Sequence, residues 1–298
     1  MDPFLTVIIP SYNRAEKLSE CLARLSRQSL AQEAYEIIVV DDGSTDNTSD
    51  VLKAWEERSE NLHVLTQKNQ GQGIARNKAI QVARGQIILF IGDDIYASEN
   101  FLEKHVIFHK EHPEENFACL GLTEWDPNHE ITPFMEWMTD GGYQFNYSKL
   151  QAGQEASFWF FYTSNLSLKK SLLQKHPFDT DFKGYGWEDT ELGLRLTKKE
   201  NLKLIYTPQA LAHHDHLLKE EDLSKKMTSL AKNAKIFKAK HPELKVIPSG
   251  FKKLVLLTLS SLPFRAFLRA LKPFSKHAQK AYWYLSAKHY FLKSLRSI

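Results

Sequence analysis

The sequence from Leu5 to Pro10 reads LTVIIP, a short apolar run rich in β-branched residues that is followed at once by the polar residues SYNR. Such a run is typical of a buried β-strand. Three similar runs occur within the first 95 residues, at Tyr35–Val40, Leu62–Gln67 and Gln86–Ile91. Because helical patterns separate them, the sequence predicts βαβ units and a parallel sheet. Their continuous apolar character predicts that both faces of the sheet are covered.

The rest of the chain has a mixed pattern. Predicted helices are Ala15–Leu30, Asn47–Glu60, Gly73–Ala83, Glu99–His112, Asp189–Lys199 and Glu220–Lys240. Predicted later strands are Phe117–Leu122, Ser157–Tyr162, Ser164–Lys169 and Leu202–Thr207. We interpret this as one α/β domain over residues 1–250, with halves 1–95 and 96–250, followed by a helical extension over residues 251–298.

Charge is unevenly distributed along the chain. Residues 251–298 contain seven Lys and three Arg but neither Asp nor Glu, so this extension carries +10. Of the 39 basic and 36 acidic residues, 29 basic and 36 acidic ones remain for residues 1–250, a charge of −7. A basic extension on an acidic body indicates an anionic surface as partner, and the acidic body argues against nucleic acid.

The cysteines and the N-terminus indicate a cytoplasmic protein. The sequence contains two cysteines, Cys21 and Cys119, without paired spacing. This predicts neither a disulfide framework nor a Cys-based metal site, and it fits a reducing compartment. No basic region precedes the first apolar run, so no signal peptide is expected.

Polar motifs follow the predicted strands, where open α/β sheets bind their ligands. In DDGSTD (Asp41–Asp46), a turn with a helix cap explains the last three residues but not the leading aspartates, so Asp42 is a candidate. In NQGQGIARN (Asn69–Asn77), the glycines allow a phosphate to approach a helix N-terminus, where Arg76 adds positive charge. A surface loop arginine is the alternative. Arg76 stands where a dinucleotide fingerprint needs a small residue.

Two further motifs concentrate carboxylates. Asp93 and Asp94 directly follow a buried strand and repel each other, which a divalent cation with a phosphate would relieve. An Asx-type turn is the alternative. The stretch YGWEDTELGLRL begins its predicted helix with Glu188, Asp189 and Glu191. Glu191 and Arg195, four residues apart, form a predicted pair on the helix surface. The alternative for Glu188 and Asp189 is that they complement the helix dipole, which explains one carboxylate but not the preceding Gly-Trp.

Taken in order, these motifs resemble those of the inverting glycosyltransferases of family 2, which have the GT-A fold, a Rossmann-like nucleotide-binding α/β fold. The resemblance extends from Leu5 to His216 and rests on TVIIPSYNR, VVDDGSTD, NQGQGIARNKA, FIGDD and GWEDTELGLRL. It implies a nucleoside diphosphate sugar donor (a UDP-sugar in the first instance), a glycan or lipid-linked glycan acceptor, and Mn²⁺ or Mg²⁺. The Gln-x-x-Arg-Trp motif of membrane-embedded processive synthases is absent, which argues against such a synthase.

The resemblance also implies roles for individual residues, with donor binding in residues 1–95 and acceptor binding in residues 96–250. Asp42 would hydrogen-bond the nucleotide base, and Arg76 would lie near the base or the diphosphate. Asp94 would bind the metal, although Gly-Asp-Asp in place of Asp-x-Asp leaves open which aspartate contacts metal and which contacts ribose. The expected donor-binding residues are Pro10, Tyr12, Arg14, Asp42, Asn69, Gly73, Arg76 and Asp93.

The Trp-Glu-Asp segment carries the general base in this family, which assigns that catalytic role to Asp189. Such a carboxylate takes the proton that the acceptor hydroxyl loses. Glu188 is expected to contact the acceptor or donor sugar there, and Trp187 to form an apolar platform for a sugar. In ALAHHDH (Ala210–His216), the family's metal-binding histidine corresponds to His214, with His213 at an aromatic position. His216 is the alternative ligand, and a plain surface cluster is the alternative explanation.

The basic extension is expected to bind membranes. Arg265 and Arg269 interrupt its apolar run, so no stretch reaches the ~18 residues that a spanning helix needs. Aromatic residues interleaved with Lys predict an amphipathic segment on an anionic leaflet, and thus a peripheral protein on the cytoplasmic face of a membrane. A helical cap packed on the acidic body is the alternative.

A non-catalytic nucleotide-sugar-binding module is the main alternative function. The presence of both Asp94 and Asp189 disfavours it, because a binding module needs no base. A nicotinamide-dependent dehydrogenase is a more distant alternative.

Overall fold

The computed structural model describes residues 2–141 and 143–296, and this part of the chain forms two compact units. The first unit comprises residues up to Ile131, Thr139–Thr180 and Glu188–Leu217, and the second comprises Thr132–Met138, Asp181–Trp187 and the residues from Leu218 onward. The strands are β1 Leu5–Ser11, β2 Tyr35–Asp41, β3 Leu62–Thr66, β4 Ile87–Ile91, β5 Ile95–Ala97, β6 Phe117–Trp125, β7 Glu155–Ala156, β8 Asn165–Lys169 and β9 Lys203–His214. The helices are α1 Ala15–Leu25, α2 Thr48–Glu56, α3 Gln72–Val82, α4 Phe101–Glu111, α5 Pro133–Asp140, α6 Lys170–Lys175, α7 Glu188–Glu200, α8 Leu223–Lys240, α9 Gly250–Leu259, α10 Leu262–Leu271 and α11 Lys276–Arg296.

The first unit is built on a single mixed sheet with the order β3-β2-β1-β4-β8-β6-β9-β5, and β7 pairs with β9. Strands β1 to β4 are parallel, as predicted. Strand β8 runs antiparallel between β4 and β6, whereas β6 and β9 are parallel. The predicted α/β class is therefore confirmed, with antiparallel strands added to one half of the sheet.

Alternating residues of the central strands enter two separate cores. On one face, Ile8 and Phe90 pack with residues of α3, α6 and α7. On the other face, Ile9 and Leu89 pack with residues of α1, α2 and α4. A sheet buried on both faces needs apolar residues at consecutive positions, which is why these strands are continuous apolar runs.

A bulge between β6 and β9 directs the end of β9 toward β5. The register of the two strands shifts between Gly121 and Leu122, and the amide of Asn165 donates to Leu122 O and Ala210 O, both at 2.9 Å. A Cβ at Gly121 would lie 2.2 Å from Asn165 Oδ1, so only glycine fits beside this amide. Beyond the bulge, His214 pairs with Ile95 of β5. This pairing places the end of β9 beside Asp94.

A buried polar network lies between α4 and β8. Ser167 Oγ is 2.8 Å from both His105 Nδ1 and His109 Nε2, and His105 Nε2 is 3.0 Å from Asn165 Oδ1. Burial lowers the pKa of His105 to about 4 and that of His109 to about 2. Both imidazoles are therefore neutral in the folded protein at neutral pH.

Acidification is expected to destabilise the protein through His105. Its pKa in the folded protein is about 4, against an ordinary value of 6.5, so the unfolded chain binds a proton more readily. The contribution of neutral His105 to stability is therefore complete above the ordinary pKa of 6.5 and is lost as pH falls through the pKa of about 4 in the folded protein. This change amounts to about 3 kcal/mol in the free energy of unfolding. Urea unfolding across this range measures it. His105→Gln should reduce the slope of the pH dependence, with His109 contributing to the slope that remains, whereas His277→Gln, at an exposed position, should keep the wild-type slope. Equal slopes in wild type and His105→Gln would contradict the assignment.

The predicted strand Ser157–Tyr162 is wrong. Residues Phe158–Phe160 form a 3₁₀ turn, in which the N–H of Phe160 donates to Ser157 O. The buried ring of Phe161 instead lies against Gly193 of α7, where an added Cβ would come within 2.6 Å of the side chain. The aromatic run thus packs on a helix, which local β-propensity does not reveal.

The second unit is helical, and α11 forms its centre. Trp283 of α11 is 1% exposed, and its ring lies 5.4 Å from Phe134 and 5.6 Å from Trp137. Lys272 Nζ lies 5.5 Å above the same indole and pairs with Glu220. This division assigns α8 and α11 to one unit, whereas the predicted boundary at residue 250 separates them. The end of the extension is therefore integral to the second unit.

Candidate active site

The carboxyl ends of β1, β2 and β4 bring polar side chains to one edge of the sheet. Asp93 is buried there and accepts a hydrogen bond from Ser11 Oγ at 2.7 Å. Arg14 contacts Asp94 Oδ2 closely and lies 3.4 Å from Asp93 Oδ1. Burial and the adjacent Asp94 charge raise the pKa of Asp93 to about 7. Arg14 therefore only partly relieves the repulsion that the sequence predicts between the two aspartates.

Asp94 also meets two histidines from the end of β9. Its Oδ2 lies 3.4 Å from His214 Nε2 and 3.5 Å from His216 Nδ1. Burial opposes ionisation of Asp94, but the neighbouring His214, His216 and Arg14 outweigh it and lower the pKa of this carboxyl well below its usual range. The imidazoles of His214 and His216 stack with ring centroids 5.4 Å apart.

The donor set of this cluster fits a divalent cation. One ligand atom from each of Asp94, His214 and His216 lies within 4.8 Å of the other two, so a single ion can reach all three. A carboxylate and two imidazoles are common ligands of divalent first-row metals. The structure thus includes both His214 and its alternative His216 in the cluster. His213 points to the opposite face of β9, where it lines a surface cavity with Tyr96 and Arg24.

Asp215, between these two histidines, fixes the segment. Its Oδ2 accepts hydrogen bonds from Lys17 Nζ at 2.7 Å and from the Tyr96 hydroxyl at 2.6 Å, and its Oδ1 contacts His129. Burial opposes ionisation, but these three partners outweigh it and lower the pKa of Asp215 to about 2. A permanently charged Asp215 therefore restrains the backbone between the two candidate ligands.

The Asp42 carboxylate binds the loop that precedes α3. It accepts hydrogen bonds from Gln67 Nε2 at 2.8 Å and from the backbone N–H groups of Gln70 and Gly71 at 2.9 and 2.8 Å. Gly71 has φ of 96°, a left-handed conformation that favours glycine. Asp42 thus has a structural role in the loop, and its contact with a nucleotide base stays a prediction.

The other residues predicted to bind the donor lie in or near the loops of this edge. Pro10 is buried in β1, paired in register with Val40, whereas Tyr12 is exposed. Asn69 is exposed in the loop before α3, and Gly73 lies in the first turn of that helix. Their roles in donor binding stay predictions.

Asp189 is fixed by two partners in the first unit. Its Oδ2 accepts hydrogen bonds from the Thr163 hydroxyl at 2.7 Å and from the Thr163 N–H at 3.1 Å. Its Oδ1 lies 3.3 Å from Arg76 Nη1. Arg76 is 3% exposed, and its guanidinium lies 5.4 Å from the ring centroid of Phe178. Arg76 is therefore not an arginine of a surface loop. It is a buried partner of Asp189, the predicted general base.

The sequence did not indicate Thr163, because 26 residues separate it from Asp189 and no motif contains it. The Asp189 side chain keeps 24% of its surface exposed, so it stays partly open to solvent despite these bonds. Glu188, the first residue of α7, is buried. Its contact with a sugar stays a prediction.

Trp187 belongs to the second unit, where it packs against α8. Its indole N–H donates to Leu230 O at 2.9 Å, and its ring lies 4.7 Å from that of Phe237. Its φ of 79° is strained for a bulky residue, and such strain clusters at functional sites. The Trp187 ring thus packs within the second unit, and its contact with the acceptor stays a prediction.

Comparisons with known proteins agree with this architecture. Over 276 residues the chain is 28% identical to the validoxylamine A glucosyltransferase of Streptomyces hygroscopicus subsp. jinggangensis, covering 81% of this chain and 62% of that protein. The enzyme of the same name from subsp. limoneus is matched over 58% of its length. The chain therefore spans about three fifths of the length of these relatives.

The fold is similar to that of solved glycosyltransferases. The mannosyltransferase PcManGT of Pyrobaculum calidifontis, in complex with GDP-Man and Mn²⁺, superposes with a TM-score of 0.66 at 19% identity over 100% of this chain and 87% of that one. Residues 1–349 of S. aureus TarS, in complex with UDP, give a TM-score of 0.56 at 18% identity over 97% and 91% of the two chains. These similarities confirm the predicted GT-A fold. The model of the family described as glycosyl transferase family 2 matches residues 6–176, more than half of the sequence, and the chain therefore belongs to that family.

Proposed function

We propose that the chain is a metal-dependent inverting glycosyltransferase, which moves a hexose-type sugar from a nucleoside diphosphate sugar to a hydroxyl group of a glycan or lipid-linked glycan. The observation that carries the proposal is the Asp189 carboxylate. It is oriented by Thr163 and paired with Arg76, yet it stays partly open to solvent. A carboxylate in this state can accept a proton from a bound hydroxyl, whereas a binding module has no use for it.

In the proposed reaction the acceptor oxygen attacks the anomeric carbon of the donor from the side opposite the diphosphate. The new C–O bond forms as the bond to the diphosphate oxygen breaks, so the configuration inverts. The acceptor proton passes to Asp189, and the nucleoside diphosphate leaves with the electron pair of the broken bond. Thr163 fixes the orientation of the Asp189 carboxylate, since its N–H and its hydroxyl both donate to Oδ2.

Asp94, His214 and His216 would hold the divalent ion, which supplies positive charge to the leaving diphosphate. Arg14 already contacts the same carboxylate and adds a second cation at this end of the site. Relatives in the solved structures bind GDP-Man with Mn²⁺, UDP or UDP-GlcNAc, which supports a nucleoside diphosphate sugar as donor. A UDP-sugar and Mn²⁺ or Mg²⁺ are the first combinations to test.

A donor screen tests the proposed function. The full chain is mixed with Mn²⁺ and UDP-, GDP- or dTDP-sugars, and the melting temperature and the release of nucleoside diphosphate are followed. We expect one nucleotide class to raise the melting temperature and its sugar donor to be hydrolysed slowly, because water replaces the missing acceptor. Donor binding without any hydrolysis, in wild type and Asp189→Asn alike, would favour the non-catalytic binding module.

A further inference from the structure

The helices α9 and α10 expose large apolar side chains over a short segment of the second unit. Phe251 is 80% exposed and Phe274 is 86% exposed. We call the exposed set the C-terminal apolar surface; it consists of Phe251, Leu254, Leu262, Phe264, Phe267, Leu271 and Phe274. Large apolar side chains exposed so close together in the sequence are typical of an interaction site.

The orientation of α10 distinguishes this surface from a packed helical cap. Phe264, Phe267 and Leu271 recur at helical spacing, so they share one face of α10, and all three are exposed. Arg265 points the other way, because its Nε donates to Ser260 O at 3.0 Å and its guanidinium lies 5.8 Å from the Tyr290 ring of α11. The side of α10 that carries Arg265 thus faces α11, whereas the apolar side and Arg269 are exposed. A helix that capped a core would have the reverse orientation.

The positive charge around this surface indicates an anionic partner. Residues 251–298 carry ten basic residues and no acidic one. Lys252, Lys253 and Arg269 are exposed in the same helices as the apolar residues. A second copy of the chain would bring two +10 segments together, which repel each other. Anionic phospholipid headgroups above an apolar interior complement both properties at once.

We propose that the C-terminal apolar surface inserts into the interfacial layer of an anionic phospholipid membrane, with α10 in the plane of the membrane. Among the described residues, no single helix is long and apolar enough to cross a bilayer. Helices α9 and α10 meet those requirements only as a pair, and they bend by 53° at their junction. Arg265 and Arg269 would lie inside a spanning segment, which is costly. In cells the anionic surface is the cytoplasmic leaflet, where lipid-linked acceptors would lie beside the enzyme.

Vesicle flotation with point variants of the full chain tests the proposal. The chain should float with phosphatidylcholine vesicles that contain phosphatidylglycerol and should remain unbound with phosphatidylcholine alone. Phe264→Ser combined with Phe267→Ser should reduce the partition coefficient at least about tenfold, because two rings lose their burial in lipid. Lys253→Gln combined with Arg269→Gln should weaken binding severalfold, and added salt should weaken wild-type binding in the same way.

Matched substitutions in the first unit serve as controls. Val82→Ser with Ile107→Ser removes exposed apolar residues elsewhere, and Lys53→Gln with Arg58→Gln removes two exposed charges. Both control pairs should bind vesicles as wild type does. The melting temperature of every variant verifies folding, because exposed side chains contribute little to the core.

Three results would overturn the proposal. The first is equal flotation with neutral and anionic vesicles. The second is retention on vesicles after an alkaline carbonate wash, which would indicate a spanning pair rather than an in-plane helix. The third is a wild-type chain that does not bind vesicles but forms a dimer in light scattering, where Phe264→Ser combined with Phe267→Ser abolishes the dimer. That result would identify a second copy of the chain as the partner of this surface. Donor-induced stabilisation in the same samples reports separately on the proposed transferase function.

Discussion

Asp189→Asn is expected to lower kcat by about 10²–10⁴-fold while donor binding is nearly kept. The amide cannot accept the acceptor proton, but it retains a carbonyl oxygen for Thr163 or Arg76. Steady-state kinetics with the identified donor give kcat, and donor-induced thermal stabilisation gives binding. Asp50→Asn, at an exposed position on α2, is the matched control and should keep the wild-type rate. Wild-type turnover in Asp189→Asn would exclude this residue as the base.

Thr163 provides a second test of the same site. Thr163→Val removes the 2.7 Å hydrogen bond to Asp189 Oδ2 but keeps the backbone N–H that donates to the same atom. We expect kcat to fall about tenfold, since the bond to a charged group contributes about 1.5–3 kcal/mol when it is made. The KM for the donor should change little, and Thr163→Ser should restore the rate. A purely structural threonine would instead lower the melting temperature in both variants and leave kcat unchanged.

Loss of a metal ligand is expected to have an effect of similar size. Asp94→Asn and His214→Ala should each weaken Mn²⁺ binding at least about 10²-fold, because even partners that only orient metal ligands contribute 10–100-fold. Calorimetric titration of Mn²⁺ into the protein measures this without any turnover. EDTA should abolish donor-dependent activity, and Mn²⁺ should restore it. His213→Ala is the matched control, because this neighbouring imidazole lies on the opposite face of β9.

His216→Ala tests whether the second histidine belongs to the metal shell. Its Nδ1 lies as near to Asp94 as the His214 Nε2 does, at 3.5 and 3.4 Å. We therefore expect a loss of Mn²⁺ affinity comparable with that of His214→Ala. Full activity in EDTA would contradict the metal role altogether. Arg14, which contacts the same Asp94 oxygen, would then be the cation left to neutralise the diphosphate.

The first four strands could be predicted because their signal is local. A run such as Leu5–Pro10 is apolar at every position except Thr6, and a strand covered on both faces requires such a run. The carboxylates of Asp93 and Asp94 are likewise adjacent in the sequence, so their repulsion needs no structure to be recognised. The resemblance of the ordered motifs to family 2 glycosyltransferases was confirmed by the family match and by the GT-A fold.

Contacts between distant segments could not be predicted. Thr163, two residues before β8, and Arg76 of α3 both contact Asp189 at the start of α7, although they lie far apart in the sequence. The run Ser157–Tyr162 has the composition of a strand but packs its aromatic rings locally and against α7. The second histidine of the metal cluster lies two residues beyond β9, and the pairing of the end of β9 with β5 accompanies its position beside Asp94.

The α/β class, the parallel half of the sheet, the acidic motif after β4 and the +10 charge of residues 251–298 could all be read from the sequence, because each depends on neighbouring residues or on composition. The tertiary structure decided which carboxylate oxygen Arg76 and Thr163 contact, that both His214 and His216 reach Asp94, and that α11 is packed while α10 exposes its apolar face. The periodicity of Phe264, Phe267 and Leu271 predicts an amphipathic helix but carries no information about which face meets the protein. The face of α10 that meets the protein is set by the contact between the Arg265 guanidinium and the Tyr290 ring of α11. These two residues are 25 positions apart in the sequence.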